Sequence, residues 1–169
     1  MATTLSKQTT VKVYETRWNG FAKYFTNTFK QGDHVSLIGS TGCGKTTLAF
    51  YGILPIRDYV CVMATKPRDK QLTGLQDYGY TKIKSWPPAY PWQRRVLLWP
   101  NARRVEDTAT QSLTFSTALS QIYETGAWAV YIDELHYMID TLKMERLLSM
   151  IWQQGRSMDI SLIASMQRP

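Results

Sequence analysis

Cysteine and histidine are scarce: this chain of 169 residues has only Cys43 and Cys61, His34 and His136. Two thiols cannot build the disulfide framework of a small secreted domain, so free thiols in a reducing compartment are expected. The two histidines are isolated from each other, so no metal site is expected beyond nucleotide-bound Mg²⁺. No apolar run approaches the roughly 18 residues that a membrane-spanning helix needs. Met1–Thr10 is rich in Ser and Thr and lacks the apolar stretch of a secretory signal, so it reads as a loose arm. Internal repeats and low-complexity tracts are missing too. Acidic residues are in deficit: 13 Asp and Glu stand against 20 Lys and Arg, a net charge of +7. An excess of that size favours a polyanionic partner, nucleic acid or an acidic membrane, although a basic protein merely kept soluble by its lysines would look the same. Hydrophobic residues at 44% and charged residues at 20% fit one ordinary globular domain.

The strongest pattern is "HVSLIGSTGCGKTTLAF", His34 to Phe50. Val35–Ile38 is a short, mostly apolar run of the kind that fills a buried parallel strand. Gly39-Ser40-Thr41-Gly42-Cys43-Gly44-Lys45-Thr46 then matches G-x-x-x-x-G-K-[ST] at every fixed position. Glycines let the backbone curl so that successive N–H groups face inward, at the positive end of the following helix, as a nest for phosphate oxygens. Lys45 is placed to bridge the β- and γ-phosphates, the Thr46 hydroxyl to complete a Mg²⁺ shell, and Thr47 to donate to the α-phosphate. These positions imply a nucleoside-triphosphate site. No guanine-reading N-K-x-D string occurs, so ATP is expected before GTP.

Strands are expected at Val35–Ile38, Tyr59–Ala64, Arg95–Trp99, Ala127–Ile132 and Ile160–Ser165. Helices are expected at Lys45–Leu54, stopped by Pro55, at Asp107–Thr125 with Leu113, Ala118, Leu119 and Ile122 inward, and at Leu142–Gln154. Residues 70–90 read as a polar, aromatic, proline-marked stretch. Strands alternating with helices imply an α/β fold, a mainly parallel sheet with helices on both faces. Residues 1–32 read as an N-terminal arm or strand leading into a core at 33–169. Ligands of such sheets bind outside the carboxyl ends of the strands, where the phosphate loop, Asp133-Glu134 and Gln167 all fall.

Asp133 ends an apolar strand and suits the Mg²⁺ shell. Its neighbour Glu134 can polarise a water in line with the γ-phosphate. A kinase for small molecules would not want that glutamate, because activating water wastes the triphosphate. Two solvated acids opening a loop are the plain alternative. Farther along, Lys82, Lys84, Arg94, Arg95, Arg103 and Arg104 surround Trp86, Tyr90 and Trp92, a mixture that suits a phosphate backbone. The aromatics could equally pack onto the sheet edge, and Lys66 and Arg68 could serve nucleic acid or a subunit interface.

"LIGSTGCGKTT", "WAVYIDELH" and the closing "GRSMDISLIASMQRP" together resemble the FtsK/HerA class of P-loop ATPases, over about Asp33 to Pro169. The compact cores of viral genome-packaging ATPases are the most similar within it. The resemblance implies a three-layer RecA-like core and a homo-oligomeric ring, a pentamer or hexamer, that hydrolyses ATP with Mg²⁺ to move double-stranded DNA. It implies packaging of a viral genome, a capsid portal or vertex protein as partner, no stable membrane insertion, and a place in the host cytoplasm or on the virion. Gln167 would be the polar sensor facing the γ-phosphate, and Arg156 of the GR turn an arginine reaching a phosphate, in cis or across a subunit boundary. Arg156 also reads as a cation answering a helix C-terminus. The chain departs from the class at Ala64-Thr65-Lys66, where an acidic residue is frequent, and members of the class continue beyond the position of Pro169. A conjugation or segregation pump, a phosphotransferase and a slow nucleotide-switched binding module are the competing readings.

Overall fold

The protein is described by a computed structural model covering residues 17–101, 104 and 107–167. Six strands form one sheet: β1 Val35–Ile38, β2 Val60–Met63, β3 Thr81–Ile83, β4 Arg95–Leu98, β5 Ala129–Ile132 and β6 Ser161–Met166. Their order is β1-β6-β5-β2-β4-β3, and every neighbouring pair is parallel. The helices are α1 Trp18–Thr28, α2 Lys45–Leu48, α3 Lys70–Gly74, α4 Asp107–Thr125 and α5 Glu145–Gln154.

Alternation along the central strands builds two cores. Val60, Val62, Ala129, Tyr131 and Ile163 join Phe29, Phe50, Ile53, Leu54 and Leu72 on the face covered by α1 to α3. Cys61, Met63, Val130, Ile132 and Leu162 turn the other way, onto Phe115, Leu119 and Ile122 of α4 and Leu148 and Ile151 of α5. A sheet buried on both faces needs runs without polar alternation, and β2 and β5 are such runs. The result is the expected three-layer α/β architecture, with the parallel sheet between two helical layers.

Several local expectations need correction. The segment before the core, read as an arm or strand, carries helix α1, whose Trp18, Phe21 and Phe25 stack in succession onto Phe29 of the core. The loose arm at Met1–Thr10 lies outside the described residues. Residues 70–90 hold α3 and the edge strand β3, hidden in sequence by their brevity. Helix α2 is α-helical for four residues, then continues as a π-turn over Ala49–Ile53 and a 3₁₀ turn over Leu54–Ile56 that absorbs Pro55 near its start. On α4 the inward residues are Gln111, Phe115, Ala118, Leu119 and Ile122, a true 3.6-residue stripe, whereas Leu113 is 69% exposed. Leu142 is buried but precedes α5, which begins at Glu145.

Strand order positions the site. Because β6 lies between β1 and β5, the carboxyl ends at Gly39, Gln167 and Asp133 stand side by side, and the Gly39 N–H donates to the Met166 carbonyl at 3.3 Å.

Candidate active site

The loop after β1 closes as its glycines allow: Gly42 and Gly44 have φ of 80° and 93°, left-handed values that side chains resist. At Gly39 a Cβ would stand 2.7 Å from the Cys43 sulfur. Helix α2 starts immediately after, so the first N–H groups of the helix and the loop face the same cleft. The cleft is about 580 Å³, lined by Thr41, Gly42, Lys45, Thr46, Lys66, Asp133, Glu134 and Gln167 among others. Lys45 reaches back over its own loop, where Nζ donates to the carbonyls of Gly39 at 2.7 Å and Ser40 at 2.8 Å. Cys43, Gly44 and the exposed Thr47 instead line a neighbouring groove with Trp18 and Tyr51, and Ser40 lines neither space.

The two acids differ in environment. Asp133 has a side chain only 7% exposed, against 35% for Glu134. Asp133 Oδ1 accepts from the Tyr131 hydroxyl at 3.1 Å and from Thr46 Oγ1 at 3.4 Å. Its Oδ2 accepts from Lys66 Nζ at 2.7 Å, and the same ammonium lies 3.3 Å from Glu134 Oε1. Burial, followed by the Asp133 charge, pushes the Tyr131 phenol up, so it remains a neutral donor near neutral pH. Burial alone would lower the Lys66 ammonium, but its bonds and charges with Asp133 and Glu134 outweigh burial and raise it.

A hard dication fits the oxygen set of Thr46 and Asp133. Bound there, Mg²⁺ would neutralise charge on the phosphoryl oxygens. The buried, fully bonded Asp133 is suited to hold the shell in place; the more open Glu134 is suited to a mobile water. Gln167, exposed on the bend after β6, lines the same cleft. Arg156 does not. It sits in the 3₁₀ turn Gly155–Met158 that precedes β6, hence at the amino ends of the strands, opposite the phosphate loop. There its main chain packs against Gly32, where a Cβ would come within 2.9 Å of the Arg156 carbonyl oxygen. Arg156 thus lies apart from the cleft of its own chain.

The sequence leaves Lys66 open between nucleic acid and a subunit interface; in the fold it lines the cleft, on Asp133. Sequence reasoning also missed the mount beneath it. Trp99 Nε1 donates to the Lys66 carbonyl at 2.7 Å, and Gln111 Nε2 to the Thr65 carbonyl at 3.1 Å. Gln111, 1% exposed, accepts in turn from the Tyr137 hydroxyl at 2.7 Å, three residues after Glu134. A glutamine in register with Phe115, Ala118 and Ile122 was the available signal, since a polar residue on a buried stripe must find partners.

The basic and aromatic stretch divides. Arg95 donates to the carbonyls of Pro55 and Arg57, Lys82 lies 3.9 Å over the Trp99 ring, and Arg94 covers Tyr59. Trp86 packs on Trp128 and donates to Gln121. Tyr90 and Trp92 instead stack on each other at 4.6 Å and remain 52% and 71% exposed, and Lys84 and Arg104 line a small cleft with Asn101. Arg103 lies outside the described residues. Among these, no helix is long and apolar enough to cross a membrane, and no cluster of three or more His, Cys, Asp or Glu could hold a metal.

No family model and no curated protein matches the chain. Among solved structures, the DNA-packaging ATPase B204 from Sulfolobus Turreted Icosahedral Virus is similar at a TM-score of 0.49 and 18% identity, over 83% of this chain and 68% of that one.

Proposed function

We propose that the protein is an ATP-hydrolysing motor that moves double-stranded DNA, with packaging of a viral genome as its task. The observation that carries hydrolysis is the meeting of Lys45, Thr46, Asp133, Glu134 and Gln167 in one cleft at the carboxyl ends of three adjacent strands. In this reading the loop N–H groups and Lys45 hold the polyphosphate, Thr46 and Asp133 hold Mg²⁺, and Glu134 takes the proton of the attacking water. Gln167, beside the γ-phosphate position, links hydrolysis to β6. A phosphotransferase is disfavoured by Glu134, whose open position gives water a base.

Movement of DNA rests on less: the resemblance of the three sequence motifs, the net charge of +7, and an exposed stacked aromatic pair beside basic residues. A ring of five or six subunits accounts for Arg156, which lies too far from its own cleft but could reach a neighbour's and supply charge to the transferring phosphoryl group. A portal or vertex protein would then anchor the ring to a capsid.

ATP turnover with and without duplex DNA, across a salt series, tests the reading. The dilute chain should be a weak ATPase, stimulated by DNA of any sequence, and the stimulation should fall steeply between low and moderate salt. Mixing Arg156→Ala with Glu134→Gln subunits should restore part of the activity if the arginine acts across an interface. Full turnover by a monomer, indifferent to DNA and salt, would remove the motor.

A further inference from the structure

We propose that Lys66 is the resident counter-ion of the Asp133–Glu134 pair and keeps free divalent metal out of the cleft, so that Mg²⁺ enters only together with a nucleotide. The inference rests on the Mg²⁺-nucleotide reading of the site. It starts from the coat around Asp133: Oδ2 is taken by Lys66 Nζ at 2.7 Å, and Oδ1 by Tyr131 and Thr46. The same ammonium touches Glu134 at 3.3 Å, so one cation serves both acids.

The backbone beneath Lys66 is fixed while its side chain is not. Trp99 and Gln111 hold the carbonyls of residues 66 and 65, from β4's end and from the buried face of α4. The Lys66 side chain remains 39% exposed and has four rotatable bonds with which to leave. A fixed root and a free tip make an exchangeable counter-ion.

Charge then decides what can replace it. With Lys66 in place the pair carries net −1; without it, −2. A free dication approaching the pair meets an ammonium already seated on the best carboxylate oxygen, and the two cations repel at short range. Asp69, the other acid on the cleft, is committed to capping α3, where it accepts from the N–H groups of Gln71 and Leu72. A dication that arrives on a polyphosphate brings its own excess of negative charge. The phosphates can then receive the ammonium that the carboxylate gives up, so the exchange leaves no charge unpaired. Strict dependence on the metal–nucleotide complex follows, with no metal held between turnovers.

The full chain, its Lys66→Met variant and the more conservative Lys66→Gln should be compared by thermal unfolding in chelator, in Mg²⁺ alone and in Mg²⁺ with ADP. Titration with Mn²⁺, read by its electron paramagnetic resonance signal, gives the metal affinity directly. The parent should ignore free Mg²⁺ and bind Mn²⁺ weakly. Both variants should melt lower in chelator and recover by about 3–6 °C at a tenfold excess of Mg²⁺ over its dissociation constant. They should bind one Mn²⁺ at least about tenfold more tightly than the parent, the effect of removing one partly screened charge. Adding Asp133→Asn to Lys66→Met should abolish the metal response. Parent and variants binding Mn²⁺ equally, or variants blind to metal with unchanged melting, would overturn the proposal. Stabilisation of the parent by Mg²⁺ with ADP reads the nucleotide site separately: its absence sinks that reading even where the free-metal results hold.

Discussion

Replacing Gln111 by leucine should loosen the cleft from behind, because Gln111 supports the cleft without lining it. The side chain is 1% exposed and spans two elements: it donates to the Thr65 carbonyl at 3.1 Å and accepts from the Tyr137 hydroxyl at 2.7 Å. Leucine keeps the volume but loses both bonds. The Thr65 carbonyl, in a residue 4% exposed, is left without its donor, which costs about 1–3 kcal/mol, whereas the half-buried Tyr137 hydroxyl can turn to water or to Thr108 and loses about 1 kcal/mol. The sum, about 2–4 kcal/mol, corresponds to a fall in melting temperature of roughly 5–15 °C for a domain of this size. Tyr137→Phe should cost about 1 kcal/mol in the parent and much less in the leucine background. The coupling between the two should be about 0.5–1.5 kcal/mol by a double-mutant cycle in thermal and urea unfolding. Because the Thr65–Lys66 backbone and the turn after Glu134 both lean on Gln111, the leucine variant should also weaken Mg²⁺-nucleotide binding. Unchanged melting, or an equal cost for Tyr137→Phe in both backgrounds, would refute the relay.

Lys45→Ala should abolish nucleotide binding, read by calorimetry, yet unfold like the parent, because the lysine caps a solvated loop and supports no core contact. Glu134→Gln keeps size and hydrogen bonding but cannot take a proton, so turnover should fall by roughly 100-fold or more with ATP binding preserved, while Asp133→Asn should instead raise the Mg²⁺ concentration required. His34 gives a pH signature. Burial holds its imidazole below the ordinary histidine value, and Nδ1 accepts the Leu162 N–H at 3.0 Å, so the folded state prefers it neutral. The unfolded chain then binds the proton more readily, and stability should rise with pH up to about 6.5 and be lost as pH falls below it. His34→Gln should flatten that slope in urea unfolding measured between about pH 5 and 7.5.

The phosphate loop, the acidic pair and Gln167 were legible because each motif is local, and the parallel alternation of strands and helices says which ends of the strands meet. Helix α4 was placed to within one residue at its start, though its inward face was not: Leu113 looked apolar enough to count, and only the 3.6-residue spacing from Phe115, Leu119 and Ile122 exposes it as an outsider. Strand β3 was invisible because three residues at a sheet edge leave no period to read. The position of Lys66 was left open for another reason. Its chemistry is fixed by where β2 ends relative to β5, a long-range register that no local pattern encodes. Arg156 shows the same limit: its motif was recognisable, but only the fold puts it on the far side of the sheet from the phosphate loop.

The most direct test of the central claim is movement itself. A third strand bound in the major groove of a linear duplex is stripped off by a motor that travels along the DNA and remains bound otherwise. The parent protein with ATP and Mg²⁺ should release it at a rate that follows ATP turnover, and Glu134→Gln should not. ATP hydrolysis that DNA does not stimulate, with the third strand left in place, would contradict the account.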